Sequence, residues 1–214
     1  MNYYLINNST NLIEVGHYVQ TKGLPVGYTY NWLEQENSIA KLTNDAYPIE
    51  DTDFIWDLED DALLTDVIST SNISCIGLLV SDKFRKYLGE LITHNHRFYP
   101  AKVRKKNIVH SYYWLHFVKK DLDGVDLKKS VFFKSNFGFD IGERLFFDSY
   151  KTALKIMRKE DCFIKLGHLH LLKNNIELYN QLFYLPVPNR IIATQKVISR
   201  IKKYQLTGID FNII

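Results

Sequence analysis

Basic residues are scarce at the start of this chain. Residues 1–66 contain Lys22, Lys41 and no Arg, against 12 acidic residues. The rest of the 214 residues contains 25 Lys and Arg against 12 acids, so the overall net charge of +3 conceals two parts of opposite charge. Such an asymmetry indicates either two parts of one molecule that attract each other or an acidic surface that binds a basic partner.

Cysteine and long apolar runs are also rare. The two Cys lie in apolar, strand-like runs, which predicts buried free thiols in a reducing compartment rather than a disulfide framework. No apolar run approaches the roughly 20 residues that span a bilayer, and the polar N-terminus lacks the pattern of a secretion signal. We therefore expect a cytoplasmic protein that does not enter the membrane.

Motifs of common enzyme classes are missing as well. The sequence has no GxGxxG, no P-loop, no CxxC, no HExxH and no nucleophile elbow. We therefore expect no cofactor, no metal ion and no catalytic residue, and we interpret the chain as a protein that is not an enzyme.

One alternative to this interpretation lies at His168 and His170. Two residues apart on a strand, their side chains would point to one face of the sheet, a geometry that metal sites use. A metal site needs a third ligand, which no motif supplies, so we interpret the pair as an ordinary surface or half-buried feature. An enzyme with an unrecognised site here stays open as the alternative.

Strand-like and helix-like segments mix without regular βαβ spacing. This predicts an α+β fold with a mixed, mainly antiparallel sheet and about three to four helices. We expect an acidic N-terminal part over residues 1–70 to pack on an α+β domain over residues 71–214, as one compact domain overall. Helices are predicted after Ser81 and over residues 57–68, 149–158 and 191–204; strands are predicted over residues 2–6, 74–80, 97–103, 109–118, 129–134, 137–139, 144–147, 162–166, 178–185 and 209–211.

The acids of the N-terminal part crowd into one stretch without Lys or Arg. Acids around aromatic side chains are typical of a tight protein interface, and complementary charge raises association rates. We predict that this stretch binds a basic partner, with Trp56 or Phe54 as the anchor. The alternatives are a solvated helix face and packing on the basic remainder of the chain. The predicted binding residues are Glu50, Asp51, Asp53, Phe54, Trp56, Asp57, Glu59, Asp60 and Asp61.

Nucleic-acid binding is a further alternative. A basic hairpin turn close to Tyr112, Tyr113 and Trp114 would hold a phosphate backbone while the aromatic rings stack on bases. Against this, the isoelectric point near 8.6 is below that of a strongly basic binding domain, and the acidic first third repels phosphates. The basic residues at the turn are Arg97, Lys102, Arg104, Lys105 and Lys106.

Four short motifs, in order, resemble a family of bacterial immunity proteins from polymorphic toxin systems. They are Val80-Ser81-Asp82, Phe98-Tyr99-Pro100, Val125-Asp126-Leu127 with Ser130, and Leu206-Thr207-Gly208-Ile209-Asp210-Phe211. We identify the family as immunity family eleven, formerly a domain of unknown function; the resemblance covers roughly residues 75–211.

The resemblance implies a protein without catalytic residues that binds a cognate toxin domain and blocks it. The toxins of such systems are often nucleases, and a basic nuclease domain would suit the acidic stretch. The motifs themselves have structural interpretations, since Ser81 caps a helix, Pro100 punctuates a strand and Gly208 permits a turn. The oligomeric state stays open.

Overall fold

The computed structural model describes residues 2–29, 54–70, 77–118, 121–136, 140–173 and 181–214. Across these ranges the chain forms four α-helices and 12 β-strands, mostly paired antiparallel, and this confirms the predicted α+β class. The helices are α1 (Leu12–Val15), α2 (Asp82–Leu88), α3 (Tyr150–Glu160) and α4 (Gln195–Lys203). The strands are β1 (Tyr3–Asn8), β2 (Phe54–Asp57), β3 (Val67–Ile68), β4 (Gly77–Val80), β5 (His96–Lys105), β6 (Ile108–Phe117), β7 (Val131–Ser135), β8 (Arg144–Leu145), β9 (Phe163–His168), β10 (Leu182–Leu185), β11 (Arg190–Thr194) and β12 (Ile209–Ile213).

A four-stranded antiparallel sheet is buried on both faces. Its strand order is β10-β11-β1-β12. All four residues of β10 are buried, as are the four residues of β11 that follow Arg190. Such continuous apolar runs are typical of strands with a core on either side, rather than strands with one face in water.

A five-stranded sheet has the order β2-β5-β6-β4-β3, in which only β2 and β5 run parallel. Its centre is the predicted hairpin of β5 and β6. Lys106 and Asn107 join these strands with φ of 47° and 67°, as a two-residue turn with both central residues left-handed requires. A third, smaller sheet has the order β8-β7-β9.

The sheets and helices pack together around three apolar cores. One lies between the four-stranded sheet, helices α2 and α4, and one face of the five-stranded sheet. A second lies between the other face of the four-stranded sheet, the three-stranded sheet and α3. The third covers the remaining face of the five-stranded sheet and is rich in aromatic rings. Alternation along β6 explains the division, because Leu115 and Phe117 belong to the first core while Tyr112 and Trp114 belong to the third.

Side-chain caps define where two of the helices begin. The Ser81 hydroxyl accepts a hydrogen bond from the Phe84 N–H at 3.1 Å, and the Ser149 hydroxyl accepts one from the Thr152 N–H at 3.2 Å. These bonds satisfy N–H groups that have no partner within a helix. The helix predicted after Ser81 is thereby confirmed, and α3 begins at the position that the sequence predicts.

Two predicted helices differ from the structure. Residues 57–68 contain the end of β2, a loop and β3, because the residues of β2 pair with Ala101–Arg104 of β5. The helix predicted over residues 191–204 begins only at Gln195, because Ile191 and Ile192 pair with β1. Sheet pairing outweighs the local pattern at both places, as it often does for short apolar runs.

The first 70 residues supply strands to both larger sheets. Strand β1 lies between β11 and β12, and strand β2 lies at the edge of the five-stranded sheet. The segment after α1 covers that edge, with the Lys22 N–H donating to Asp57 O at 2.8 Å and the Val26 N–H donating to Ile55 O at 2.7 Å. No helix in the described ranges is long and apolar enough to cross a membrane.

Replacing Gly208 with Ala tests the packing of the C-terminal strand. Gly208 has φ of +78°, and an added Cβ would collide with the backbone oxygen of Val67 and with Thr65. Gly27 has φ of +82° but open space around it, so Gly27→Ala is the matched control for backbone strain alone. We expect denaturant unfolding to give a loss of about 1 kcal/mol for Gly27→Ala and about 3 kcal/mol or more for Gly208→Ala. Equal losses would show that the close approach at Gly208 is unimportant.

Candidate docking surface

The aromatic residues of the predicted acidic stretch lie inside the protein. Phe54 and Trp56 have no exposed surface, and Trp56 stacks on Trp114 with ring centroids 5.6 Å apart. In β2 these two side chains alternate with Ile55 and Asp57, which are only half-buried. Neither ring is accessible to a partner on the surface, so neither can act as the predicted anchor in this structure. Glu50, Asp51 and Asp53 lie outside the described residues.

Asp57 forms an ion pair with the basic hairpin. Its carboxylate oxygens accept hydrogen bonds from Nε and Nη2 of Arg104 at 2.6 and 2.8 Å. These hydrogen bonds hold the pKa of Asp57 below its ordinary value, and the same bonds raise the pKa of Arg104. The acidic stretch and the predicted nucleic-acid turn therefore contact each other.

The next acids are more exposed. Asp60 accepts a hydrogen bond from Nζ of Lys22 at 2.8 Å, although its side chain is 88% exposed. This bond lowers the pKa of Asp60, with a smaller contribution from the charge of Lys106. Glu59 is half-buried and Asp61 is exposed. Part of the charge of the acidic stretch is thus balanced within the chain, while Asp60 and Asp61 face solvent.

A dense set of hydrogen bonds holds residues 58–66, which we call the acidic loop. The Glu59 N–H donates to Gln20 O at 2.9 Å, and the Leu63 N–H donates to Val15 O at 2.8 Å. The Gln20 side-chain amide donates to Leu63 O at 2.7 Å, and the Tyr112 hydroxyl donates to Thr65 O at 2.8 Å. The acidic loop therefore lies directly beside the segment that contains α1.

These two neighbouring segments expose large apolar side chains. Ile13 is 90% exposed and Tyr18 is 59% exposed. Exposed apolar side chains gathered beside charged ones are typical of protein docking sites. We call the set, together with Asp60 and Asp61, the N-terminal surface. Its apolar members are Leu12, Ile13, Tyr18, Val19, Leu63 and Leu64.

Asp60 and Asp61 are among the residues that the sequence predicts for binding, whereas none of the apolar members of this surface is. The Leu63-Leu64 pair directly after Asp60-Asp61 is a local signal of apolar groups beside acids. The contribution of Ile13 and Tyr18 has no such signal, because it depends on the hydrogen bonds that bring residues 15 and 63 together.

Two of the three aromatic rings of the predicted nucleic-acid clamp lie inside the protein, and the third, that of Tyr113, is half-buried. Tyr112 and Trp114 are buried in the aromatic core, so neither ring is accessible for stacking on a base. Arg104 is paired with Asp57, and Nζ of Lys105 donates to the backbone oxygen of Ala62. Arg104 therefore stabilises the end of β2, and Lys105 stabilises the acidic loop.

The motif residues that carry the family resemblance form internal contacts. The Ser81 hydroxyl donates to Oδ1 of Asp66 at 2.6 Å, and the Thr207 N–H donates to Oδ2 of Asp66 at 3.0 Å. Ser130 is buried and its hydroxyl accepts from the His170 N–H at 3.0 Å. These motif residues therefore stabilise the fold, and none of them is a member of the N-terminal surface. No family model matches this chain, and no curated protein matches its sequence.

The Asp57–Arg104 pair predicts a pH-dependent stability. Both side chains are more than a third exposed, at 35% and 41%, so Asp57→Asn should lower the free energy of unfolding at pH 7 by only about 0.5–1 kcal/mol. The pKa of Asp57 is lowered in the folded protein, so its contribution is present above the unfolded-state pKa and is lost as the pH falls through the folded-state pKa.

Urea unfolding at several pH values measures this effect. We expect the difference between wild type and Asp57→Asn to be constant from pH 8 to 6 and to shrink below about pH 4. The control Asp61→Asn removes an exposed carboxylate and should change stability at pH 7 by less than about 0.5 kcal/mol. A difference for Asp57→Asn that persists undiminished at pH 2 would contradict the assignment.

Proposed function

We propose that this protein is a cytoplasmic immunity protein that binds a cognate bacterial toxin domain, a basic nuclease, and blocks it. The observation that carries the proposal is the N-terminal surface, which places six exposed apolar side chains beside two exposed carboxylates. The order of the four motifs supports the choice of an immunity protein among the proteins that bind basic partners.

The chemistry of the surface favours a protein partner. Exposed apolar side chains gain free energy when a partner removes them from water, at about 25 cal/mol per Å². The neighbouring carboxylates repel nucleic-acid phosphates and attract Lys and Arg, the residues with which nucleases bind phosphates. A nuclease domain whose substrate groove is bordered by apolar groups would offer basic residues to the carboxylates and an apolar contact to the exposed apolar side chains.

The rigidity of the acidic loop also favours tight binding. Hydrogen bonds already hold the backbone of Glu59 and Leu63 in place. Association therefore orders fewer groups, and more of the interaction free energy appears as affinity. This suits an inhibitor that must keep its toxin blocked.

The two chemical components of the surface have separate roles in the proposed mechanism. Asp60 and Asp61 attract the basic toxin over a distance and raise the association rate. Ile13, Tyr18 and Leu63 then exclude water at the contact and slow dissociation. The bound protein covers the phosphate-binding groove of the toxin or a neighbouring exosite, so the substrate has no access.

Reversing one exposed charge tests the electrostatic role. We expect Asp61→Lys to slow association with the proposed cognate toxin domain by about threefold or more at low salt, with the difference vanishing at high salt. Stopped-flow or biolayer measurements of both rate constants give the answer. The matched control is Glu143→Lys, an exposed charge on another part of the surface. Equal association rates for the two variants would contradict the role of the acidic loop.

Truncating the apolar side chains tests the contact itself. We expect Ile13→Ala and Leu63→Ala each to weaken binding by about 1–2 kcal/mol, mainly through faster dissociation, and to reduce the survival of cells that co-express the toxin. Ile141→Ala, at a site that is 67% exposed, is the control and should leave affinity unchanged. If the wild-type protein forms no complex with the toxin and gives no rescue, the proposed function is wrong. If the wild-type protein binds and the Ile13→Ala and Leu63→Ala variants bind equally well, the toxin binds a different surface.

A further inference from the structure

Two exposed imidazoles lie side by side at the end of β9. The ring centroids of His168 and His170 are 4.7 Å apart, with the ring planes at 72°. Leu169, between them, is 3% exposed and belongs to the second core. Because alternate residues of an extended segment point to opposite sides, the buried Leu169 directs both imidazoles outward on one face.

The backbone at both His residues is held in place. His168 pairs with Val131 of β7. At His170, the N–H donates to the Ser130 hydroxyl at 3.0 Å, and the carbonyl accepts from that hydroxyl at 3.2 Å and from the Asp126 N–H at 2.9 Å. The imidazoles therefore extend from a fixed base, and little backbone ordering opposes the binding of a ligand between them.

We propose that His168 and His170, which the sequence alone presents as an ordinary surface pair, form a two-ligand site for a divalent transition metal ion, with water in place of the third protein ligand. Imidazole nitrogens bind Zn²⁺, Ni²⁺ and Cu²⁺ at about 2.0–2.1 Å. Two such ligands at neighbouring coordination positions have ring centroids about 4.4–5 Å apart, from the same bond length and ligand angles of about 90–110°. The observed separation lies within this range before any metal is bound.

The site is open on its remaining coordination positions. No group of three or more His, Cys, Asp or Glu residues suited to a metal occurs among the described residues. Water therefore completes the coordination, or a donor atom of a bound molecule does so. The site lies on the three-stranded sheet and shares no residue with the N-terminal surface, so it stands independently of the proposed function.

Metal titration of the untagged full chain tests this proposal. We expect isothermal titration with NiCl₂ or ZnCl₂, in a buffer that does not chelate metals, to show one ion per chain. Each of His168→Ala and His170→Ala should weaken that binding tenfold or more, because one of the two protein ligands is lost. The control is His96→Ala. His94 and His96 have the same spacing, but both ring nitrogens of His94 are buried and Nδ1 of His96 lies 2.8 Å from the His94 carbonyl oxygen.

A second measurement keeps the test independent of the variants. Because Zn²⁺ is diamagnetic, NMR can follow the ring signals of every His in the wild-type protein. We expect Zn²⁺ to shift the signals of His168 and His170 together and to leave those of His96 and His110 in place. Wild-type affinity retained in both His→Ala variants, or no shift at this pair, would overturn the proposal.

Discussion

A buried carboxylate, that of Asp66, joins three parts of the chain that are distant in sequence. It accepts hydrogen bonds from the Ser81 hydroxyl at the start of α2 and from both the N–H and the hydroxyl of Thr207 before β12. Nζ of Lys83, 3.3 Å away, supplies the compensating positive charge. A buried charge is stable only while all of its hydrogen-bond partners are in place. The end of the acidic loop, the start of α2 and the segment before the C-terminal strand therefore hold one another in position.

The N-terminal surface depends on this junction. Asp66 ends the acidic loop, and Gly208 approaches the backbone of Val67 closely while its N–H donates to Glu14 of α1 at 2.9 Å. The C-terminal segment thereby fixes both segments that expose apolar side chains. The family-like residues Ser81, Thr207 and Gly208 thus act on the proposed interface indirectly, by positioning it.

In the folded molecule, some acids of the N-terminal part are paired with basic residues of the same chain, and others remain exposed. Asp57 and Asp66 form ion pairs with Arg104 and Lys83, which belong to the basic part of the chain. These pairs support the interpretation that the acidic and basic parts attract each other. Asp60, which pairs with Lys22 at the surface, and Asp61 remain exposed near the apolar side chains of the N-terminal surface.

Local signals in the sequence were sufficient for some elements and insufficient for others. The β5–β6 hairpin and the Ser81 cap follow from residues close together in the chain, so both are predictable. The burial of the Trp56 side chain is not predictable in this way. Its acidic neighbours are typical of a solvated helix, and only the pairing of β2 with β5 turns alternate side chains inward. The apolar members of the N-terminal surface also escape prediction, because residues 12–19 and 58–64 meet only through long-range hydrogen bonds.

Hydrogen exchange of the protein alone and in complex with the proposed cognate toxin domain tests the central claim most directly. Amide protection maps the contact without any substitution. The account predicts new protection over residues 12–19 and 58–64, with little change at the three-stranded sheet. Protection confined to the β5–β6 turn or to β7–β9 would contradict it and would place the toxin on a different surface.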